Sequence, residues 1–423
     1  MDVIENKNNN DLASHLFRVE SGKMVSVLTR IFGLSHIEIA EDIVQDTFLK
    51  ALNDWGYNNI PENPQAWLYK VAKNKTIDYL RHQKHVQEYE SDLNHLLKSE
   101  WTLSSSVNNM FLDNEIEDSQ LRMIFASCHP VLPQESQLAL TLKTLCGLSI
   151  REISRALLTT EANINKRLFR AKQKLRDEHL KFEIPEGDRL LERMDSVYKV
   201  IYLLFNEGYS STESEKIIRK DLCAEALRLC QLLSEHTVGD KPKTYALLAL
   251  MCFHASRLDA RTDDKGYIIL LKEQDRQLWN KELIAKGFEY ASKASEGNEL
   301  TEYHIEAGIA AYHSSASGFS ETNWEAILRL YNMLEKINPS PVTILNKVIV
   351  ESMIRGSEYA LAELLKIGNL DNYYLYHTTL AQFYSETGNK ESAKKHLELA
   401  LGLTNSQPEI LLIKKRLDEM VLN

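Results

Sequence analysis

Nowhere in the 423 residues does an unbroken apolar run reach the roughly 18 positions that a membrane-crossing helix needs, so no part of the chain is expected to span a bilayer. Cysteine is sparse. Cys128, Cys146, Cys223, Cys230 and Cys252 are odd in number, form no CxxC and sit mostly in apolar helical patterns. They read as small core residues of a reduced compartment, not as a disulfide frame or zinc site. The opening MDVIENKNNN is polar and lacks the apolar centre of a secretion signal. Together these absences predict a cytosolic protein. Period-two alternation is also missing, so no strand is predicted and the fold class is all-α. No nucleophile–base pair and no metal-ligand spacing emerges, so neither enzymatic chemistry nor a cofactor is expected.

Positive charge is scarce overall, with a net charge of -10, which read globally argues against nucleic acid. Its distribution argues otherwise. Residues 67–85 carry five Lys/Arg against one acid, and residues 141–181 carry ten against four. Residues 86–118 carry one lysine against eight acids. Two basic islands in an acidic chain are what a polyanion would meet.

The second island holds the most informative stretch, SIREISRALLTTEANINKRLFRAKQKLR. Ser149 and Glu152 form a capping box that starts one helix, and Thr160 caps a second after a short turn. Ile164, Leu168, Ala171 and Leu175 recur at helical spacing and are expected inside. Asn163, Lys166, Arg167, Arg170 and Lys174 then point outward together, and residues 166–176 hold six basic residues and no acid. Amide and guanidinium donors flanked by cations suit a helix lying in a major groove.

The remaining chain reads as helices. Residues 12–34 are amphipathic about Leu16, Val19, Val25, Leu28 and Phe32. In residues 38–52 the stripe Ala40, Ile43, Val44, Phe48, Ala51 and Leu52 is expected inside, with Asp42, Gln45, Asp46 and Leu49 opposite. The segment NDWGYNNIPEN reads as a loop. Asn63 and Pro64 open a helix over 64–83 that turns Leu68, Val71, Ala72 and Tyr79 inward and Lys70, Lys73, Asn74, Ile77 and Arg81 outward. Residues 1–11 read as a disordered tail and residues 86–118 as a flexible acidic linker. Pro185 and Gly187 mark a boundary, with helices from 182 to 423 beyond it. There, residues 373–408 match a tetratricopeptide-like (TPR-like) pattern at Leu380, Ala381, Tyr384, Gly388, Ala393, Leu397 and Ala400. Gly356, with Leu361 and Leu365, is a fainter copy 32 residues earlier. His254, Arg257, Arg261, Glu273, Asp275 and Arg276 are expected to make salt bridges between neighbouring helices.

The blocks AEDIVQDTFLKAL, PQAWLYKVAKNKTIDYLRHQ and the helix-turn-helix resemble regions 2 and 4 of bacterial sigma-70-family factors. The absence of a region 3 makes the chain similar to the extracytoplasmic-function (ECF) group. YLLFNEGYSS, LMCFHASRLDAR, LLKEQDRQLWN and NPSPVTILNKVIV resemble its subgroup with a C-terminal TPR-like extension. The resemblance implies region 2 over 12–85, an acidic linker over 86–118, region 4 over 119–181 and an extension over 182–423. It implies RNA polymerase core and promoter DNA as partners, with core docking on Asp42, Gln45, Asp46 and Leu49. Contacts to the minus-ten element would fall to Trp55, Tyr57, Lys70, Lys73, Asn74 and Arg81, with packing into the three-helix core the equal alternative for Trp55. Those to the minus-thirty-five element would fall to Asn163, Asn165, Lys166, Arg167, Arg170 and Lys174. An unidentified protein or ligand is a further candidate partner at the extension, which is expected to regulate the factor in cis. The competing reading is a helix-turn-helix regulator with a repeat sensor domain that never joins polymerase; such a regulator has no use for the 38–85 module.

Overall fold

The structure, a computed structural model, describes residues 2–58, 60–83, 100–157, 159–178, 180–210 and 218–422. Side chains at 2–15, 56–58, 83, 100–103, 155, 156, 421 and 422 are not described. The described residues are all-α: they form helices and turns, with one isolated antiparallel bridge between Thr262 and Ile268. They divide into two compact units, residues 1–204 and 205–423.

The first unit is built from α1 (Asp2–Phe32), α2 (Ile37–Asn58), α3 (Pro64–Gln83), α4 (Glu100–Asn109), α5 (Asp113–Ser127), α6 (Gln134–Thr144), α7 (Ile150–Ala156) and α8 (Glu161–Asp177). Most of α9 (Asp188–Tyr209) completes it. Met24, Val25, Val27, Leu28, Ile31 and Phe32 bury the inner face of α1, and Gly33 ends the helix at φ 86°. The Asn63 side chain accepts the Ala66 N–H at 2.9 Å and so caps α3 at its opening proline.

Three sequence expectations give way here. The segment read as a tail belongs to α1 from Asp2 onward, where helix propagates from a well-packed continuation at one bond per residue. Residues 53–58, read as loop, extend α2 to Asn58. The acidic stretch 86–118 is helical from Glu100, with Val107, Phe111 and Ile116 buried. Its first part, residues 86–99, lies almost wholly outside the described residues. The scattered apolar residues of this stretch pack, and its acids pair across helices. Glu115 and Asp118 accept from Arg30 Nη1 at 2.7 and 3.1 Å.

The halves read as separate modules are therefore one body. A Cβ at Gly22 of α1 would stand 1.8 Å from the carbonyl oxygen of Leu145, just past α6, so only glycine lets the two backbones meet. Nearby, Arg18 pairs with Glu152 at 3.2 Å, tying α1 to α7. The boundary also moves. Pro185 is buried, and Arg193 of α9 is buried and donates from Nη1 to the Phe125 carbonyl at 3.0 Å, which keeps the start of α9 with the first unit.

The second unit continues with α10 (Lys220–Glu235), α11 (Pro242–Ser256), α12 (Lys281–Ala294), α13 (Glu302–Ser315), α14 (Trp324–Ile337), α15 (Pro341–Arg355), α16 (Ser357–Leu364), α17 (Tyr374–Glu386), α18 (Lys390–Leu403) and α19 (Gln407–Leu422). The TPR-like match falls on α17 and α18: Leu380, Ala381, Ala393, Leu397 and Ala400 are buried, and Gly388 makes the turn at φ 84°. Gly356 makes the equivalent turn between α15 and α16 at φ 88°. In this fainter copy Leu364 is buried and Leu365 is 53% exposed, one position off the expectation. All five cysteines are free and buried. No described helix is long and apolar enough to cross a membrane.

Gly22 gives a test of sign. In an open helix position Gly→Ala stabilises by about 1 kcal/mol. Here the added methyl meets a backbone oxygen, so Gly22→Ala should instead destabilise by roughly 1–3 kcal/mol, read as a lower urea midpoint of the full chain. A raised midpoint would show that α1 and the Leu145 carbonyl do not approach in solution.

Candidate nucleic-acid interface

The exposed face of α2 is charged at one end and apolar at the other. Asp42, Gln45 and Asp46 face solvent, and Leu49 is 52% exposed. Leu52, expected inside, is 57% exposed, because three residues on from Leu49 it shares that face. Ala40, Ile43, Val44 and Ala51 do form the buried side. Asp46 accepts from Lys75 Nζ at 3.0 Å. Two exposed leucines beside carboxylates suit a protein partner better than open water.

On α3, Lys70, Asn74 and Arg81 are exposed along one face. Asp78 interrupts it and lies 3.6 Å from Arg81. Ile77, expected outside, is buried. Lys73 is only half-exposed: its ammonium sits 5.3 Å from the Phe111 ring centroid, and burial pushes its pKa down. Trp55 departs from the expectation of a base-capturing loop. It lies inside α2, and its ring packs 5.6 Å from Phe17 and 5.4 Å from Trp67, making it core of the three-helix bundle. The Tyr57 side chain lies outside the described residues.

The helix-turn-helix forms as its caps dictate. The Ser149 N–H donates to Glu152 Oε2 at 2.7 Å, and the Glu152 N–H donates to Ser149 Oγ at 3.1 Å. The Asn163 N–H donates to Thr160 Oγ1 at 3.2 Å and starts α8. Ile164, Leu168, Ala171 and Leu175 are buried, which leaves Asn163, Asn165, Lys166, Arg170 and Lys174 exposed. Phe169 joins them at 69% exposure, a residue the charge pattern had hidden. An exposed ring within such a stripe can meet a thymine methyl.

The cations of α8 divide into two groups. Arg167 pairs with Glu135 of α6, and Lys174 with Glu178 at 2.5 Å. Lys172 pairs with Glu41 and Arg176 with Glu38 at 2.8 Å, both acids in the first turn or two of α2. Lys166 and Arg170 have no carboxylate partner among the described residues. The pairs to Glu38 and Glu41 tie the end of α8 to the start of α2, next to Asp42. Exposed pairs of this kind contribute from nothing to about 1 kcal/mol each, so they trim the packing of α1 on α6 and do not create it.

Comparison with known proteins finds family matches over both helical parts of this interface. The family model described as Sigma-70 region 2 matches residues 16–86, and Sigma-70, region 4 matches residues 122–175. A family of unknown function (DUF6596) matches residues 193–295. An uncharacterized protein of Rhizobium meliloti is 34% identical over 386 residues, covering 91% of this chain and 90% of that protein. The ECF RNA polymerase sigma factor SigM of Bacillus subtilis is 31% identical over 143 residues, 33% of this chain and 78% of its own. The ECF RNA polymerase sigma-E factor of Haemophilus influenzae is 28% identical over 156 residues, 36% of this chain and 78% of its own. No solved structure matches the chain.

Duplex binding should separate the two groups of cations on α8. Replacing Lys166 and Arg170 together by Ala should weaken binding to a cognate duplex and flatten its preference over a base-substituted duplex, at about 1–3 kcal/mol per lost base contact. Lys172→Ala should leave that preference within error. Equal effects of the two changes on the ratio of affinities, by fluorescence anisotropy, would refute the division.

Proposed function

This chain belongs to the sigma-70 family of RNA polymerase sigma factors, in its ECF group, and on that premise we propose how its surfaces divide the work of transcription initiation. The observation that carries the reading is the outer face of α8, a capped helix presenting Asn163, Asn165, Lys166, Phe169 and Arg170 to solvent. These residues read the minus-thirty-five element, while Arg167 and Lys174 add phosphate contacts once their carboxylates yield. Lys70, Asn74 and Arg81 follow the minus-ten strand; Lys73 assists from a costlier, half-buried position. Asp42, Gln45, Asp46 and Leu49, joined by Leu52, dock on polymerase core. The protein is read as a non-enzyme acting in the cytoplasm, because RNA synthesis belongs to the polymerase.

A size argument bears on the packed first unit. A compact body of that length has a radius of gyration of about 17 Å. Minus-ten and minus-thirty-five lie about 25 base pairs apart, or about 85 Å of duplex at 3.4 Å per step. A body of that size does not span the two elements, so core binding separates α3 from α8 by opening the α1–α6 contact. Competition for the start of α2 favours this opening: Glu38 and Glu41 hold α8 directly beside the docking stripe.

The extension regulates the factor in cis. The division between the two units falls within α9. That position supports a required, bracing extension over a masking one.

In vitro transcription with purified core and promoter fragments tests both readings. Asp42→Lys with Asp46→Lys should reduce core affinity at least about tenfold, or 1.4 kcal/mol, with helicity unchanged. A chain stopped after Leu204, which keeps the first unit whole, should bind core yet initiate poorly. Full activity of that truncation would end the bracing reading; undiminished core binding by the double variant would end the docking assignment.

A further inference from the structure

The second unit contains a cationic cluster with no carboxylate partner among the described residues. Arg257 caps the end of α11, Arg261 follows one turn later and Arg276 lies in the short 3-10 turn Arg276–Leu278. His254 ends α11 and His313 lies in the last turn of α13. Salt bridges were expected among these residues. Among the described residues, none of the three arginines has a carboxylate partner.

Aromatic rings hold the guanidinium groups in place instead. Arg276 Cζ lies 3.9 Å from the Trp279 ring centroid, and Arg257 Cζ lies 5.5 Å from the same ring. Arg261 Cζ lies 3.7 Å from the Tyr209 ring centroid, and that ring is 5.0 Å from His254. Two arginines also serve helix ends: Arg261 donates to the Tyr209 carbonyl at the end of α9, and Arg276 to the His313 carbonyl at the end of α13. A helix C-terminus supplies about half a negative charge. With the end of α11, where Arg257 sits, three such ends offset about one and a half of three positive charges, which leaves a surplus of about one to two.

The donors are unsatisfied as well. Arg257 Nε, Arg276 Nη2, Trp279 Nε1 and His313 Nδ1 are all buried without a partner. Leaving one buried polar group unpaired costs about 1–3 kcal/mol, and here three or four gather in one cluster. Arg257 and His254 are half-buried as whole residues, while the four unpartnered atoms themselves are shielded from solvent. His254 and His313 are held uncharged, with pKa values near 3 and 4, by burial first and then by the arginines beside them.

We propose that this cluster binds a small phosphate-type oxyanion, with Arg257 and Arg276 as charged donors and Trp279 Nε1 and His313 Nδ1 as further donors. A doubly charged tetrahedral oxyanion matches both the charge surplus and the forked guanidinium donors. This site lies outside the promoter and core surfaces and stands whether or not those assignments hold.

The test uses the full chain and inorganic phosphate, against sodium chloride and succinate at equal ionic strength. Phosphate should raise the unfolding midpoint by about 5 °C at saturation and give a saturable calorimetric titration. Arg257→Ala should abolish both responses, because Arg257 is the one arginine of the three whose side chain donates to no helix carbonyl. Arg257→Gln serves the same comparison if the alanine variant does not fold. Equal midpoints in phosphate and chloride would overturn the site, as would a phosphate response that survives at Arg257→Ala or Arg257→Gln. A succinate response as large as that to phosphate would overturn the phosphate class.

Discussion

The first unit rests on one close approach, the backbone of α1 at Gly22 against the carbonyl of Leu145. A Cβ at Gly147 would likewise stand 3.1 Å from the Arg18 backbone oxygen, and the ion pairs around the approach are worth little singly. The approach lets α1 lie across the foot of the helix-turn-helix, which brings Arg18 to Glu152 and Arg30 to Glu115 and Asp118. It also lets Lys172 and Arg176 of α8 meet the start of α2. A glycine contact of this kind is specific but not strong. It fits a resting arrangement that a larger interface, such as polymerase core, can displace.

Helix α9 imposes a second constraint. Its first half buries Met194, Val197, Tyr198, Val200 and Ile201 and is pinned by Arg193 to the Phe125 carbonyl. Its end supplies the Phe205 carbonyl that accepts from Cys223 Sγ at 3.7 Å, and the Tyr209 carbonyl that accepts from Arg261. The division between the two units falls within this helix. Truncation at the Pro/Gly boundary would strip the first unit of buried surface, and a loss of function there would say nothing about regulation.

Local chemistry was legible in the sequence; tertiary demand was not. The Ser149–Glu152 box, the Thr160 and Asn63 caps, the buried stripe of α8 and the Gly388 turn all appear as read, because each depends on residues within one or two turns. Leu52, Ile77 and Leu365 were misplaced by period alone: near the edge of an apolar stripe, neighbouring helices decide which side is covered. Trp55 was assigned to a loop because Asn, Gly and Pro surround it, yet Phe17 and Trp67 close around its ring. Packing overrode turn propensity there. The acidic stretch before α5 was read as linker from composition, and nothing local announced that Arg30, some 85 positions away, would pair with it.

The arginine cluster shows why charge alternation along a sequence is a weak guide to pairing. Glu273 and Asp275 sit beside Arg276 in the chain, which made salt bridges the natural reading. Asp275 instead spends its side chain capping the Arg276–Leu278 turn, accepting the Gln277 N–H at 2.8 Å, and Glu273 faces solvent. What remains at the ends of α9, α11 and α13 is cationic, aromatic and short of acceptors. A fold under no constraint but stability would be expected to place an acid or an apolar residue there, since an unpaired buried charge costs several kcal/mol. Aromatic faces and helix ends reduce that cost but do not remove it, and the Arg257 side chain donates to no helix carbonyl. A site that is unfavourable when empty and favourable when filled is the form a binding site takes.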